Sequence, residues 1–244
     1  MKAFEEYGGG FNVYLASALS SDTNQGETAA KSLPRRAGAP TRDGLLVRTV
    51  DVLVALIALL VFSPIMLFSA ATIALTSSGP ILFRQQRIGR DGELFTCLKF
   101  RTMHVNASEM LDALLADCPA ARAEWAENHK LRNDPRIIGI GNFLRRTSLD
   151  ELPQIFNVLA GEMAIVGPRP IVTGEIARYG RYIGDYCSVR PGITGLWQVS
   201  GRSETSYRCR VACDRLYARR KSILGDIRIM ACTVPVVLLG QGAC

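Results

Sequence analysis

Two adjacent carboxylates, Asp150 and Glu151, sit in the stretch Arg145-Arg146-Thr147-Ser148-Leu149-Asp150-Glu151-Leu152-Pro153-Gln154. A carboxylate placed among cations can attack phosphorus and carry a phosphoryl group. A neighbouring carboxylate can hold Mg2+, a hard ion that prefers oxygen ligands. The same residues also have a structural reading. Ser148 three positions before Glu151 is a capping-box pattern, and acidic residues suit the first turn of a helix because they meet the positive end of its dipole. On either reading a helix begins at Ser148, runs to about Leu159 and ends at Gly161. Its N-terminus would keep Asp150 ionised and offer N–H groups to a phosphate.

Cations occur at three further places. In Lys99-Phe100-Arg101-Thr102-Met103, a strand would turn Lys99 and Arg101 to one face and Phe100 to the other. That face is either solvated or anion-binding. Arg169 stands between Pro168 and Pro170, so its backbone is stiff. A stiff backbone suits a guanidinium that forks onto phosphate oxygens, although a merely structural turn has the same pattern. Arg145 precedes the carboxylates. Gly192, Gly195 and Gly201 surround Trp197 and would permit close approach of backbone to a ligand. Trp197 fits a plain core position equally well.

The elements that must position these residues follow from periodicity and turn chemistry. Ser78-Gly79-Pro80 is a turn, Ile81 to Arg84 a short strand, Gly89-Arg90-Asp91-Gly92 a hairpin loop and Leu94 to Phe100 the returning strand. Ala107 to Lys130 has helical spacing, with Met110, Leu111, Leu114 and Leu115 on one face, and Asn133-Asp134-Pro135 stops it. Ala164 to Val166 is a short strand. Helices are expected from about Glu204 to Lys221 and over the apolar segment Ile227 to Leu239, which suits a core or an interfacial position. The fold class is α+β, mostly helical, with a short β-hairpin.

From Val52 to Leu75 the chain is apolar. One helix over that run would reach about 36 Å, against about 30 Å for the hydrocarbon core of a bilayer. Pro64 lacks an N–H, and its ring clashes with the carbonyl of Leu60, so a kink is expected there. The Ser63 hydroxyl can satisfy the freed carbonyl. Lys31, Arg35, Arg36, Arg42 and Arg48 precede the run, and Arg84, Arg87 and Arg90 follow it. The positive-inside rule holds both flanks on the cytoplasmic side, which a re-entrant hairpin satisfies and a simple span does not. An ordinary spanning helix with a tolerated proline is the competing reading.

Composition narrows the function classes. The chain has 244 residues and a net charge of +7, from 29 basic and 22 acidic residues. That balance suits an anionic partner. The basic residues form no long run and no patch interleaved with aromatics, which argues against nucleic acid. The seven cysteines form no CxxC pair and read as reduced thiols. With His104 and His129 as the only histidines, a zinc site is not expected. Residues 1–43 are rich in Gly, Ser, Thr and Ala and read as a flexible extension. The apolar run starts too late for a signal peptide.

Taken together, Ser63-Pro64, Lys99-Phe100-Arg101-Thr102-Met103, Thr147-Ser148-Leu149-Asp150-Glu151-Leu152-Pro153-Gln154, Gly167-Pro168-Arg169-Pro170 and Arg190-Pro191-Gly192-Ile193-Thr194-Gly195-Leu196-Trp197-Gln198 resemble the bacterial sugar transferases. These are the monotopic polyprenyl-phosphate phosphoglycosyl transferases. The resemblance covers about Arg48 to the C-terminus, and five motifs in this order are highly specific. It is strongest to the short exopolysaccharide-initiating undecaprenyl-phosphate galactose phosphotransferases.

The resemblance implies three segments: the extension 1–43, a re-entrant membrane helix over 44–78 with its turn at Ser63 and Pro64, and a catalytic domain over 79–244. It implies that Asp150 attacks the sugar-bearing phosphate of a UDP-sugar, with UDP-galactose or UDP-glucose expected, and expels UMP. Undecaprenyl phosphate would then take the sugar phosphate from the aspartate. Mg2+ would be held by Asp150 and Glu151, and Arg169, Lys99, Arg101 and Arg145 would bind substrate phosphate. The implied location is the cytoplasmic face of the bacterial inner membrane, against its lipid. A non-catalytic membrane scaffold or regulator of polysaccharide assembly would keep the same fold, but intact Asp150, Glu151 and Arg169 count against it. The particular sugar and any homo-oligomer are left open.

Overall fold

The computed structural model describes residues 44–128, 131–200 and 206–238. The expected extension 1–43, the flanking cations Lys31, Arg35, Arg36 and Arg42, and His129, Gly201 and Cys244 lie outside the described residues.

The chain is α+β, as expected. Helix α1 covers Leu45–Thr76. An antiparallel hairpin follows, β1 over Leu82–Ile88 and β2 over Leu94–Phe100, in register from Leu82 opposite Phe100 to Ile88 opposite Leu94. The first strand is longer than the sequence pattern indicated. Its polar run Arg84-Gln85-Gln86-Arg87 hid four more paired positions, Gln85 to Ile88. Next come α2 over Ala107–Asp117 and α3 over Pro119–Asn128. The single expected helix is broken here because Pro119 disfavours helical backbone at Cys118, whose ψ is 103°.

Helix α4 covers Gly141–Arg146, a 3-10 turn covers Leu149–Glu151, and α5 covers Gln154–Ala160. Gly161 ends α5 with φ at 88°, the left-handed cap that the sequence indicates. Strand β3, Ala164–Val166, pairs in parallel with β4, Gly192–Thr194. Between them lie α6 over Ile176–Tyr179 and α7 over Ile183–Cys187. The chain continues with α8 over Leu196–Val199, α9 over Tyr207–Arg220 and α10 over Ile223–Leu238.

Helix α1 is the one described helix long and apolar enough to cross a membrane. It runs unbroken through Ser63-Pro64, so the expected fold-back into two halves is corrected to a single helix with a proline inside. The Ser63 hydroxyl donates to the Leu60 carbonyl at 3.0 Å, replacing the bond that Pro64 cannot give.

One stripe of α1 docks on the domain. Ala55 joins Phe95, Cys97, Ile155 and Val158 in one cluster, and Met66 and Ile73 join Phe100, Ile138 and Leu144 in another. The opposite face is bare and apolar: Leu60 is 77% exposed, Leu67 71% and Phe68 66%.

Both ends of α1 are tied down. Near its start, Arg48 donates to the Leu159 carbonyl at 3.1 Å, and the Asp51 carboxylate accepts from the Ile165 N–H at 2.9 Å. Just past its end, the Arg101 guanidinium donates to the Ser77 hydroxyl at 2.7 Å, the Ser77 carbonyl at 3.0 Å and the Pro80 carbonyl at 2.6 Å. Helix α10 is amphipathic in the same sense. Ile229 is buried beside Val166, Val189 and Tyr217, while Leu224, Ile227 and Val234 are exposed.

Candidate active site

Four segments meet at one cleft. The hairpin brings Arg87, Cys97 and Lys99, the 3-10 turn and the start of α5 bring Glu151 and Gln154, the turn after β3 brings Arg169 and Pro170, and the β4–α8 segment brings Gly192, Ile193 and Gln198.

The carboxylates do not begin a capped helix. Ser148 adopts left-handed backbone, φ 57° and ψ 17°, and its side chain caps nothing. The expected capping box is therefore absent. A left-handed non-glycine residue costs about 1–2 kcal/mol, and it turns the chain so that the Glu151 side chain reaches the hairpin. Glu151 Oε1 accepts from Lys99 Nζ at 2.5 Å and from Arg169 Nη1 at 3.2 Å. Burial pushes the Glu151 pKa up, but Arg169 and Lys99 outweigh it and hold the carboxylate at about 2.

Asp150 is in the opposite condition. Among the described residues no hydrogen bond or ion pair reaches its carboxylate. Burial, helped by the Glu151 charge, raises its pKa to about 6 against the pull of Lys99, Arg145 and Arg169. One carboxylate is thus locked as a permanent anion. Its neighbour is left as a more basic, unpartnered one. Paired acids driven apart in this way take different chemical roles.

Neighbouring segments fix the frame. Asn157 on α5 spans the edge of β2, accepting from the Leu98 N–H at 3.0 Å and donating to the Thr96 carbonyl at 2.7 Å. That bond pair sets the distance between the 3-10 turn and Lys99. The Arg169 turn is fixed from three sides. Arg87 donates to the Pro170 carbonyl at 2.9 Å, Ile88 N–H donates to the Ile171 carbonyl at 2.9 Å, and the Tyr186 hydroxyl bridges Ile171 N–H and the Ile88 carbonyl. Gly167 and Gly192 let β3 and β4 close, since a Cβ on Gly167 would strike the Arg190 carbonyl. Gly195 likewise abuts the Gly167 carbonyl. Gly192 and Gly195 therefore serve backbone packing, and Gly192 also lines the cleft.

The sequence pattern of bacterial sugar transferases matches residues 42–240. The chain belongs to the bacterial sugar transferase family. An uncharacterized sugar transferase of Haemophilus influenzae is 51% identical over 199 residues, which are 82% of this chain and 42% of that protein. The undecaprenyl-phosphate galactose phosphotransferase of Salmonella typhimurium is 48% identical over 198 residues, 81% of this chain and 41% of that protein. The exopolysaccharide production protein ExoY of Sinorhizobium fredii is 43% identical over 217 residues, 88% of this chain and 96% of that protein. The chain spans about two-fifths of the length of the first two relatives.

In this family member Glu151, Lys99 and Arg169 meet at the cleft wall, and Asp150, next to Glu151 in the chain, is not one of the lining residues but lies within electrostatic reach of Lys99 and Arg169. Arg145, in the last turn of α4, stands outside the cleft wall but within electrostatic reach of Asp150. Arg101 does not join them. It is 4% exposed, and its donors are taken up by Ser77 and Pro80. The expectation that Arg101 binds phosphate is corrected to a clamp between α1 and the hairpin.

Arg87, Asn157 and Gln198 are site residues that the sequence reading did not single out. Arg87 was visible only as a flanking charge, and Asn157 and Gln198 carry no spacing signal. Among the described residues no cluster of three or more His, Cys, Asp or Glu forms a metal site. The donor set still fits Mg2+ with a diphosphate, because Mg2+ binds through one or two carboxylates plus substrate phosphates. Glu151 Oε1 is occupied by Lys99 and Arg169, which leaves Asp150 and the second Glu151 oxygen for the ion.

Proposed function

We infer that this chain transfers a sugar 1-phosphate from a UDP-sugar, UDP-galactose or UDP-glucose, to undecaprenyl phosphate and so initiates exopolysaccharide synthesis. The observation that carries the reading is the unpartnered Asp150 beside Glu151, whose charge is already neutralised by Lys99 and Arg169. The names of the Salmonella typhimurium and Sinorhizobium fredii relatives support the substrate class and the pathway.

An Asp150 oxygen attacks the sugar-bearing phosphorus, and the bond from that phosphorus to the bridging oxygen breaks as UMP leaves. The sugar phosphate remains as an acyl phosphate on Asp150. A phosphate oxygen of undecaprenyl phosphate then attacks the same phosphorus and displaces the carboxylate. The bond between sugar C1 and its oxygen is untouched in both steps, so anomeric configuration is retained. Arg169 and Lys99 orient the anionic donor, and Glu151 holds both cations in place. Mg2+ on Asp150 and Glu151, when bound, offsets the repulsion between anionic nucleophile and anionic diphosphate.

The acceptor phosphate lies at the headgroup level of a membrane, and the site must reach it. Helix α1 presents a bare apolar face, while both of its ends are fastened to the same domain. A helix so fastened cannot place its ends on opposite sides of a hydrocarbon core about 30 Å thick. We therefore place α1 along the cytoplasmic leaflet of the inner membrane, with its bare face in the lipid and without crossing it. Arg48, Arg84 and Arg90 add attraction to anionic lipid.

The reading is tested by assaying UMP release from a panel of UDP-sugars with Mg2+ and undecaprenyl phosphate. Release that disappears in Asp150→Asn is expected. Binding of undecaprenyl phosphate without turnover of any donor would make the protein a scaffold.

A further inference from the structure

The hairpin gives the cleft two cations, and they stand at different places along it. In the β1–β2 register Lys99 is opposite Phe83 and Arg87 is opposite Phe95. Directly opposed residues share a face of a sheet, and side chains alternate along each strand. Arg87, Cys97 and Lys99 therefore lie on one face, and all three line the cleft. At about 3.3 Å per residue, Arg87 is set about 13 Å beyond Lys99 along the strand direction. Lys99 and Arg169 both donate to Glu151. Together with Arg145 they are the cations that weigh most on Asp150. Arg87 joins on the far side of Arg169, where its Nη1 donates to the Pro170 carbonyl at 2.9 Å. The wall thus runs from the acidic pair, through Lys99 and Arg169, to Arg87.

The charges along this wall do not balance. Burial lowers the Arg87 pKa, and the Arg169 charge beside it lowers it further. Glu151 is taken by Lys99 and Arg169. Glu175 stands 3.9 Å from Arg87 Nη1, beyond hydrogen-bond length. Its oxygens accept instead from the Val172 N–H at 3.0 Å, the Tyr207 hydroxyl at 3.2 Å and Arg210 Nη1 at 3.4 Å. Among the described residues, Arg87 donates once from Nη1, to Pro170, and once from Nη2, to Gln85 Oε1 at 2.6 Å. Three of the five N–H groups of a guanidinium are then left for another acceptor. The Arg87 side chain is 15% exposed, on the cleft. Two like charges side by side, with acids that answer only one of them fully, suit an anion brought by a ligand.

The reaction selects that anion. In phosphoryl transfer the attacking and leaving oxygens stand roughly in line, on opposite sides of phosphorus. Asp150 attacks from the Lys99 end of the wall, so UMP departs away from it. Arg87 is the cleft cation farthest from the acidic pair in that direction. We propose that Arg87 binds the phosphate that leaves with UMP, and meets the charge it gains as the bond from the sugar-bearing phosphorus to the bridging oxygen breaks. This role rests on the transferase reading above and gives the leaving group its own residue. Lys99 and Arg169 keep the sugar-bearing phosphate.

The test separates the two phosphates. Transfer of radiolabelled sugar from a UDP-sugar to undecaprenyl phosphate is followed in the native protein, Arg87→Gln, Arg87→Lys and Arg169→Gln. UMP, or the 1-phosphate of the transferred hexose, is added as inhibitor. Arg87→Gln should weaken inhibition by UMP roughly 10- to 100-fold and leave inhibition by hexose 1-phosphate at native strength. Arg87→Lys keeps the charge without the fork and should recover part of the UMP binding. Arg169→Gln should weaken inhibition by hexose 1-phosphate. A purely structural Arg87 would act through the Pro170 turn on Arg169 and lower inhibition by both fragments alike. If Arg87→Gln does not fold, the same split must appear in Arg87→Lys. Equal losses for both fragments, a loss for hexose 1-phosphate alone, or native UMP inhibition with a raised KM for undecaprenyl phosphate overturns the inference and leaves the transferase reading standing. Native protein that transfers sugar from no UDP-sugar overturns both.

Discussion

Replacing Asp150 by Asn should abolish turnover and make the protein more stable. Asp150 has an ordinary pKa of 3.8, raised to about 6 in the fold. At about 1.4 kcal/mol per pKa unit, keeping it ionised costs the native state about 3 kcal/mol at pH 7.5. The sign follows from linkage. The folded pKa lies above the unfolded one, so the penalty is full above pH 6, declines as pH falls and is nearly gone at pH 4. Asn keeps the shape without the charge. Thermal unfolding in detergent without added Mg2+ should therefore show Asp150→Asn about 6 to 12 °C above native at pH 7.5, at about 2 to 4 °C per kcal/mol for a chain of this size. The two should differ by under about 1 kcal/mol at pH 4. UMP release from the same preparation should be at background. A helix-capping Asp150 behaves oppositely, since losing a cap costs about 1 kcal/mol. A variant less stable than native at pH 7.5 would refute the reasoning, whatever its activity.

Three further outcomes are expected. For the free enzyme, kcat/KM for UMP release should be flat above pH 6 and fall about tenfold per pH unit below it as Asp150 takes up a proton; a plateau extending to pH 4.5 would contradict the raised pKa. Arg101→Lys keeps the charge but loses the fan of bonds to Ser77 and Pro80, so stability should drop by about 2–3 kcal/mol in denaturant titration with the activity per folded molecule near native; a large loss in KM with native stability would return Arg101 to substrate binding. With exposed Cys209 and Cys232 replaced by Ser, cysteines introduced at Leu45 and Ser78 should both react with an impermeant reagent from the cytoplasmic side only, and labelling from opposite sides would mean that α1 crosses the bilayer.

Local signals in the sequence carried far. The hairpin turn, the Gly161 cap, the β3 strand and the Pro64-Ser63 pairing all rest on residues within a few positions of one another, and they form as expected. What failed depended on distant partners. Ser148 has the composition of an N-cap, but Glu151 is drawn to Lys99 and Arg169, and those contacts outweigh a cap. Lys99 and Arg101 share a strand pattern, yet β2 ends at Phe100, and past that point Arg101 finds the carbonyls that follow α1. Pro119 was a local signal that the apolar spacing of Met110, Leu111, Leu114 and Leu115 overshadowed. Asn157 acts through a pair of side-chain bonds to β2 backbone and Gln198 through one to β4 backbone, and such bonds leave no periodic trace. Whether the acidic pair capped a helix or did chemistry was open in the sequence, and the structure shows no side-chain cap at Ser148. The structure separates Asp150 from Glu151 by giving every partner to one of them.

The central claim is a phosphosugar carried on Asp150. Protein mixed with Mg2+ and a UDP-sugar in the absence of undecaprenyl phosphate should release one UMP per active site and gain the mass of a hexose phosphate. Borohydride reduction of the acyl phosphate, which releases the sugar phosphate and leaves homoserine in place of the modified aspartate, followed by peptide mass spectrometry, should locate the modified residue at Asp150. No mass gain under conditions where undecaprenyl phosphate supports turnover, or a gain at Glu151 or Cys97, would contradict the account.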